Sequence, residues 1–297
     1  MRHLLFLPIM ACAAAPAFAQ ELNLGSAQGA APIPIQITAS QGITWSQNAQ
    51  TVTATGNAKA VRGAVTVTAD KLVAHYVKKP TTSTPGAPTG AGTMSPLDQG
   101  NSQLTELDAI GHVHIYTATD NAWGNRAVYA VGPQVLILTG RNLKLTTKHD
   151  TITARDSIEY YAASHKAIAR GDALIVASGG RSIAADVITG HFASQSNHSV
   201  AAPGTGALRQ AGSLVKVDAV GHVVIKTRSD TVTGDRGVYL PPTGEARLGG
   251  DVHIMHGPNE LAGSDALVNM KTGIATLLAG PGGQVSGVIL PGSGGAK

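Results

Sequence analysis

A short pattern that recurs six times constrains the fold of this chain more than any other feature. In each copy a glycine opens a stretch of alternating apolar residues, and an acidic or amide residue follows about fifteen positions later, close to an alanine or a glycine. The copies run from Gly56 to Asp70, Gly111 to Asn125, Gly140 to Asp156, Gly171 to Asp186, Gly221 to Asp235 and Gly250 to Asp265. Repetition at a fixed spacing is typical of stacked repeat architectures. The repeat therefore predicts a fold assembled from similar units.

A second level of repetition relates two parts of the chain to each other. Residues 108–140 align without a gap with residues 218–250, at a lag of 110. An enzyme needs one asymmetric constellation of acid, base and electrophile, whereas a duplicated surface repeats the same environment along its length. The duplication favours binding over catalysis, and we predict that the chain is not an enzyme.

Apolar residues alternate with polar ones inside each unit, which is the period of a β-strand with one buried face. No segment after the first nineteen residues shows sustained helical periodicity. Antiparallel strands that run up and back in each unit would form two facing sheets with a common interior. Because aromatic residues make up only 4% of the chain, that interior is either an incompletely filled groove or an ordinary filled core.

The ends of the chain and two low-complexity stretches divide it into segments. Residues 1–19 have a basic start, an apolar run and an Ala-Phe-Ala ending, which predicts a cleaved signal peptide and export. The alternative is a lipoprotein that is cleaved before Cys12 and acylated on that residue. Residues 20–32 and 281–297 are predicted to be flexible, and residues 33–280 form the folded part. Residues 80–103 and 194–213 are rich in Pro, Gly, Ser and Thr and are predicted to be loop inserts between repeats.

Charge and motif content exclude several classes of partner and cofactor. The chain has 22 basic and 18 acidic residues without runs of like charge, so a nucleic-acid partner is not predicted. Two histidine pairs, His112 with His114 and His253 with His256, could hold zinc, but no nearby cysteine or carboxylate cluster completes either set. We predict no metal and no cofactor. The recurring aspartates are interpreted as turn residues rather than catalytic carboxylates.

Residues 33–79 carry the motifs of a known family. They comprise the strand Ile35 to Ser40, the Thr-Gly-Asn strand start at Gly56, and the Ala-Asp-Lys corner at Asp70 that leads to Tyr76. This combination, after a signal peptide, resembles the LptA/OstA family of periplasmic lipopolysaccharide-transport proteins. The resemblance continues more loosely to residue 280.

The resemblance implies an all-β fold, a β-jellyroll whose two antiparallel sheets form an open, V-shaped groove. It implies a periplasmic protein that binds lipopolysaccharide, shields the acyl chains of lipid A and passes them from the inner to the outer membrane. Its expected partners are the inner-membrane and outer-membrane proteins of the same pathway and further copies of itself, joined end to end. Residues 33–40 and 273–279 are the predicted docking edges, because open sheet edges invite strand addition.

The resemblance and the alternation together select candidate site residues. Ile35 and Ile37 match the family's first strand, whose apolar residues face the lipid, and the alternation extends this apolar face to later strands. The predicted lipid-facing residues are Ile35, Ile37, Val65, Val67, Val113, Ile115, Ile175, Val223, Ile225, Val252 and Ile254. Three cations are predicted at the groove rim, where they would meet lipid A phosphates. They are Lys59, Arg62 and Lys71.

Two other classes of protein fit parts of the pattern. A secreted β-helical enzyme acting on polysaccharides would also show strand repeats, but it would gather paired carboxylates or aromatic sugar platforms, in which this chain is poor. A structural solenoid with a filled core differs from the transport protein only in whether its interior is open. Both stay open at this point.

Overall fold

The computed structural model describes residues 35–78, 102–193, 213–279 and 284–288. The predicted signal peptide, the segment 20–32, nearly all of both inserts and most of the tail lie outside these residues. The described residues form eighteen strands and one 3₁₀ turn at Ala162–Ser164. The strands are β1 Gln36–Thr38, β2 Gly42–Ser46, β3 Thr51–Arg62, β4 Val65–Lys78, β5 Ser102–Tyr116, β6 Asn121–Ala130, β7 Val135–Thr139, β8 Leu143–Thr146, β9 Asp150–Ala154, β10 Ser157–Tyr161, β11 Lys166–Ala177, β12 Ser182–Phe192, β13 Leu214–Lys226, β14 Asp230–Leu240, β15 Glu245–His256, β16 Asn259–Asn269, β17 Ile274–Leu278 and β18 Ser286–Val288. Among these residues no helix is long and apolar enough to span a membrane.

All strand pairs are antiparallel, and most join strands that follow each other in the chain. Each long strand changes register near its middle, for example between Ile110 and Val113 where β5 pairs with β6. The glycine and the residue after it lie in this bulge with positive φ, as at Gly111 (78°) and His112 (44°). A bulge of this kind bends the strand, so its two halves belong to two different layers.

The two layers are the two sheets of the molecule. The first sheet contains β2, β7, β10, β17 and one half of each long strand; the second contains β1, β8, β9, β18 and the other halves. Buried residues of both sheets form one apolar cluster, so the inner faces pack against each other. The predicted fold class, an all-β jellyroll built from repeats, is confirmed.

The corner between the sheets explains the repeat seen in the sequence. The aspartate or asparagine of one unit lies against the glycine of the next: a Cβ atom added to Gly111 would come within 2.1 Å of Asp70 Oδ2, and one added to Gly221 within 2.1 Å of Asp186 Oδ2. The same contact joins Asn125 to Gly140, Asp156 to Gly171 and Asp235 to Gly250. The corner residues are therefore contacts between units, and the interpretation of the aspartates as turn residues was wrong for Asp70, Asp186, Asp235 and Asp265, which lie inside strands.

Cross-strand registers align the inner residues into continuous rows. In the second sheet one row runs through Ile37, Ala60, Val67, Ile115, Ala122, Leu145, Ile152, Ile175, Ile183, Ile225, Val232, Ile254 and Leu261. In the first sheet the facing row runs through Leu72, Ala109, Ala127, Leu138, Ile158, Ala169, Ile188, Ala219, Leu248, Ala266 and Leu277. The period of two in the sequence produces these rows.

The tail contains a short strand that the sequence did not predict. Residues 286–288 form β18, which pairs with Glu260 to Ala262 of β16, inside the segment predicted to be flexible. Its Ser-Gly-Val sequence is too short for alternation to reveal a strand. With β17, it forms the edge of the described structure at the C-terminal end, while β1 and β2 form the edge at the N-terminal end.

Candidate functional site

An apolar cavity of about 220 Å³ lies between the two sheets in the middle of the molecule. Its walls come from both inner rows, and its mouth is bordered by the hairpin that joins β8 to β9 and by the ends of β12 and β13. The lining residues include Leu145, Ile152 and Ile175 of the second sheet and Ile158, Ala169, Ile188 and Val217 of the first. Phe192, Leu214, Lys148, His149 and Asp150 lie at the mouth. An apolar space with polar groups at its entrance is the usual form of a ligand site.

The predicted lipid-facing residues from Ile37 onward lie on the inner face of the second sheet. Ile37, Val67, Ile115, Ile175, Ile225 and Ile254 belong to the row described above. Val113, Val223 and Val252 occupy the neighbouring inner row, next to the corner. Val65, opposite Arg62, lies on the same face near the hairpin tips. The strands therefore bring these residues to one face, and Ile175 lines the cavity itself.

The interior is not equally open along its length. Ile37, Val65, Val67 and Ile175 are half-buried, as is Ile35, which directly precedes β1. Val223 and Val252 have no exposed surface at all, and Leu248 of the facing sheet is equally buried. Val113 and Ile115, on the other side of the cavity, are at most 2% exposed, so the two sheets are in direct contact on both sides and leave a cavity in the middle.

A contact across the mouth closes the sheets beyond the cavity. Arg181, at the tip of the β11–β12 hairpin, donates a hydrogen bond of 3.1 Å from Nη1 to the carbonyl oxygen of Met270, at the tip of the β16–β17 hairpin. Asp150 lies close to Arg181. Burial raises the pKa of the Asp150 carboxyl above its ordinary value, although the positive charges of His149 and Arg181 partly offset this effect. We call Arg181, Asp150 and Met270 the mouth contact. No motif in the sequence identified it, because its members come from distant hairpins.

The three predicted rim cations are found in two different environments. Lys59 and Lys71 are exposed on the outer faces, close to the corner and away from the mouth. Arg62 instead lies on the inner face and is 9% exposed. Burial lowers the pKa of Arg62, and the nearby Tyr129 acts in the opposite direction. Of the three, Arg62 alone faces the interior, because it follows the inward-facing Ala60 by two residues and the alternation of β3 puts both on one face.

Three hairpins of the second sheet end in the same Thr-x-x-Asp turn, which the sequence analysis overlooked. Thr117, Thr147 and Thr227 each accept a hydrogen bond through Oγ1 from the amide of the aspartate three residues later, at 2.9–3.1 Å. The aspartates are Asp120, Asp150 and Asp230. Such turns satisfy backbone groups locally. They also place acidic residues along the mouth of the interior, next to the cavity at Asp150.

The two histidine pairs considered as metal ligands are not brought together as pairs. His112 lies in a bulge and contacts Asp70 at 2.8 Å, whereas His114 stacks on Trp123 with ring centroids 4.9 Å apart. His253 contacts Glu260 at 2.8 Å, while His256 contacts Asp230 at 2.6 Å. The bulge after Gly111 breaks the alternation that would have put the first pair on one face.

Comparisons with known proteins find one family model and a similar solved structure. Residues 36–166 match the family model described as LptA/(LptD N-terminal domain) LPS transport protein. One similar solved structure is that of LptH from Pseudomonas aeruginosa, which is described as the LptA homologous periplasmic component of the conserved lipopolysaccharide transport device. The match covers 48% of this chain and 95% of the LptH chain, with 15% sequence identity and a TM-score of 0.38. The search of curated proteins found no match. Residues 36–166 of this chain are therefore similar to the LptA/(LptD N-terminal domain) family of LPS transport proteins.

Proposed function

We propose that this protein binds lipopolysaccharide in the periplasm and shields lipid A acyl chains between its two sheets. The observation that carries the proposal is the apolar cavity, whose walls come from the inner rows of both sheets. Burying a methylene group is worth about 0.8 kcal/mol, so an apolar wall holds acyl chains without specific chemistry. Uniform rows of Val, Ile, Leu and Ala also give a lipid no deep local minimum, which favours sliding along the rows.

The size of the cavity implies that the sheets separate when a whole lipid binds. Its volume of about 220 Å³ is below the roughly 300–1,000 Å³ typical of small-molecule sites. Beyond the cavity, the mouth contact and the packed residues around Val223 close the interior. We infer that the cavity is the part of the groove that stays open without ligand, and that lipid extends it by opening the mouth contact.

Positive groups are available where lipid A phosphates would lie. Lys148 is exposed at the cavity mouth, and Arg62 faces the interior near the hairpin tips. Cations of this kind bind phosphate oxygens through charge-assisted hydrogen bonds. We propose these two residues as phosphate contacts; Lys59 and Lys71, on the outer faces, are proposed only for more peripheral contacts.

The ends of the sheets suggest how lipid passes onward. Free edges at β1 and β2 and at β17 and β18 could add strands of another copy, or of pathway proteins at the inner and outer membranes. The inner rows would then continue from one molecule to the next. We propose an end-to-end assembly that carries lipid from the inner to the outer membrane.

Photo-crosslinking in living cells tests the proposal. A photoreactive residue replaces Ile37, Ile175 or Val223 on the inner face, or Ile137, which points outward from β7, as the matched control. Lipopolysaccharide adducts are expected at Ile37 and Ile175 and not at Ile137. Adducts at Val223 as well would show that the closed half opens during transport.

The filled-core solenoid remains the second candidate, because Val223, Val232 and Val252 are fully buried. It predicts that none of the inner positions forms adducts although each variant folds. That result would overturn the transport proposal.

A further inference from the structure

A cluster of three potential metal ligands lies on the outer face of the first sheet, away from the proposed groove. It consists of His75 of β4 and of Glu106 and Asp108 of β5. His75 is directly opposite Glu106 in the strand register, and Asp108 is two residues further along the same face. One ligand atom from each residue lies within 4.8 Å of the others.

The carboxylate of Asp108 is held with one oxygen directed to this cluster. Arg126 donates two hydrogen bonds to Oδ1, from Nε at 3.1 Å and from Nη2 at 2.9 Å. Oδ2 lies 3.8 Å from His75 Nε2, which is too far for a hydrogen bond. An ion between these two atoms would fill the gap. The guanidinium thus orients the carboxylate and leaves its second oxygen available, as outer-shell partners of metal ligands do.

The duplicated part of the chain provides an internal comparison. At the lag of 110, Asp108 corresponds to Asp218 and Glu106 to Lys216. There the Lys216 ammonium lies 2.8 Å from Asp218 Oδ1, and His191, opposite Lys216 in the register, contacts Oδ2 at 2.8 Å. The second copy therefore pairs its carboxylate with Lys216 and His191, whereas the first copy pairs Asp108 Oδ1 with Arg126 and leaves Oδ2 facing His75 at 3.8 Å. In the first copy glutamate replaces that lysine, and within the described residues Glu106 has no hydrogen bond or ion pair.

We propose that His75, Glu106 and Asp108 bind a divalent transition-metal ion, with Zn²⁺ the ion that suits them best. One imidazole nitrogen and two carboxylate oxygens are ligands that zinc accepts, and water can complete a tetrahedral site. Asp108 is buried while His75 is about 40% exposed at its side chain, so the site is anchored on one side and reachable from solvent on the other. The ion would join β4 to β5 near the ends of both strands.

Zinc titration of the purified protein, followed by calorimetry, tests the site against two reciprocal variants. Glu106→Lys installs the arrangement that Lys216 makes in the second copy, so it should keep the fold and abolish binding. Lys216→Glu installs the first arrangement in the second copy and should add a second binding event. Glu106→Gln, which keeps the shape, should weaken binding by at least about tenfold. Cobalt substitution gives an independent reading, because tetrahedral Co²⁺ in a protein site has much more intense visible bands than the octahedral ion in water.

Each outcome decides the proposal. Binding of about one zinc ion per chain, lost in Glu106→Lys while its circular dichroism and urea midpoint stay unchanged, supports it. No binding by the unmodified protein overturns it. Equal zinc binding by Glu106→Lys also overturns it, because the ion must then bind at another site. His253, with its neighbours Asp251 and Glu260, is the site to test next. The result is independent of lipid binding, because the cluster lies on the outer face.

Discussion

Single residues at the corner between the sheets determine whether successive units can stack. Gly171, Gly221 and Gly250 have φ between 79° and 80°, a region that residues with a Cβ rarely adopt. In addition, the aspartate of the preceding unit occupies the space that a Cβ would need. Two independent requirements therefore select glycine here, which explains why the repeat was visible in the sequence.

Replacing Gly221 with alanine should destabilise the fold more than replacing a glycine that has positive φ alone. Gly180 has φ of 81°, but nothing lies within 4 Å of a Cβ added there, so Gly180→Ala is the matched control. We expect each substitution to cost about 1–3 kcal/mol for the backbone, and Gly221→Ala to cost further because of Asp186. Urea unfolding measures both. Equal effects would mean that Asp186 moves aside without cost.

At the scale of the elements, polar networks on the outer face connect neighbouring strands. Glu159 of β10 accepts hydrogen bonds from Ser157 at 2.7 Å, from Arg170 of β11 at 2.8 Å and from Tyr161 at 2.8 Å. Burial alone would raise the pKa of the Glu159 carboxyl, but these hydrogen bonds outweigh burial and lower the pKa below its ordinary value of 4.5. The network therefore stabilises the ionised form.

This network predicts a defined pH dependence of stability. Because folding lowers the pKa of Glu159, its contribution is fully present above about pH 4.5 and is lost as the pH falls through the lower, folded-state pKa. Glu159→Gln should lower the free energy of unfolding by about 1–3 kcal/mol at pH 7. The difference from the unmodified protein should shrink in acid. Glu245→Gln, at an exposed position, is the control, and a constant difference from pH 7 to pH 3 would contradict the prediction.

The mouth contact connects two hairpins that are distant in the sequence, and its removal should loosen the closed half. Arg181→Ala removes the hydrogen bond to Met270 and should cost about 1 kcal/mol of stability. The amide of Val223 should then exchange hydrogen faster. Arg228→Ala, at an exposed position of the neighbouring β13–β14 hairpin, is the control. Unchanged exchange at Val223 would show that packing, and not this contact, keeps the sheets together.

At the scale of the whole molecule, the N-terminal end leaves an apolar inner residue exposed at a free sheet edge. Ile43 of β2 begins the inner row of the first sheet and is 52% exposed. In the proposed end-to-end assembly, the next copy would cover it. An exposed apolar residue at an open edge is therefore an association site in this arrangement.

Ile43→Lys should weaken this association without unfolding the protein. Val220→Lys is the matched control, because Val220 is 59% exposed on the outer face and away from the ends. Light scattering over a range of concentrations is expected to show assemblies of the unmodified protein and of Val220→Lys, and smaller species for Ile43→Lys. Equal masses for the two variants would exclude the N-terminal edge as the docking site.

The sequence alone determined the fold class, the position of the corners and the face on which Val113, Ile115, Val223 and Ile225 lie, because alternation and glycine conformation are local properties. It did not determine how far apart the two sheets are. The cavity beside Ile175, the full burial of Val223 and the mouth contact depend on distances between strands that are remote in the chain. Only tertiary packing decides these, since residues with the same alternation can line an open groove or a closed core.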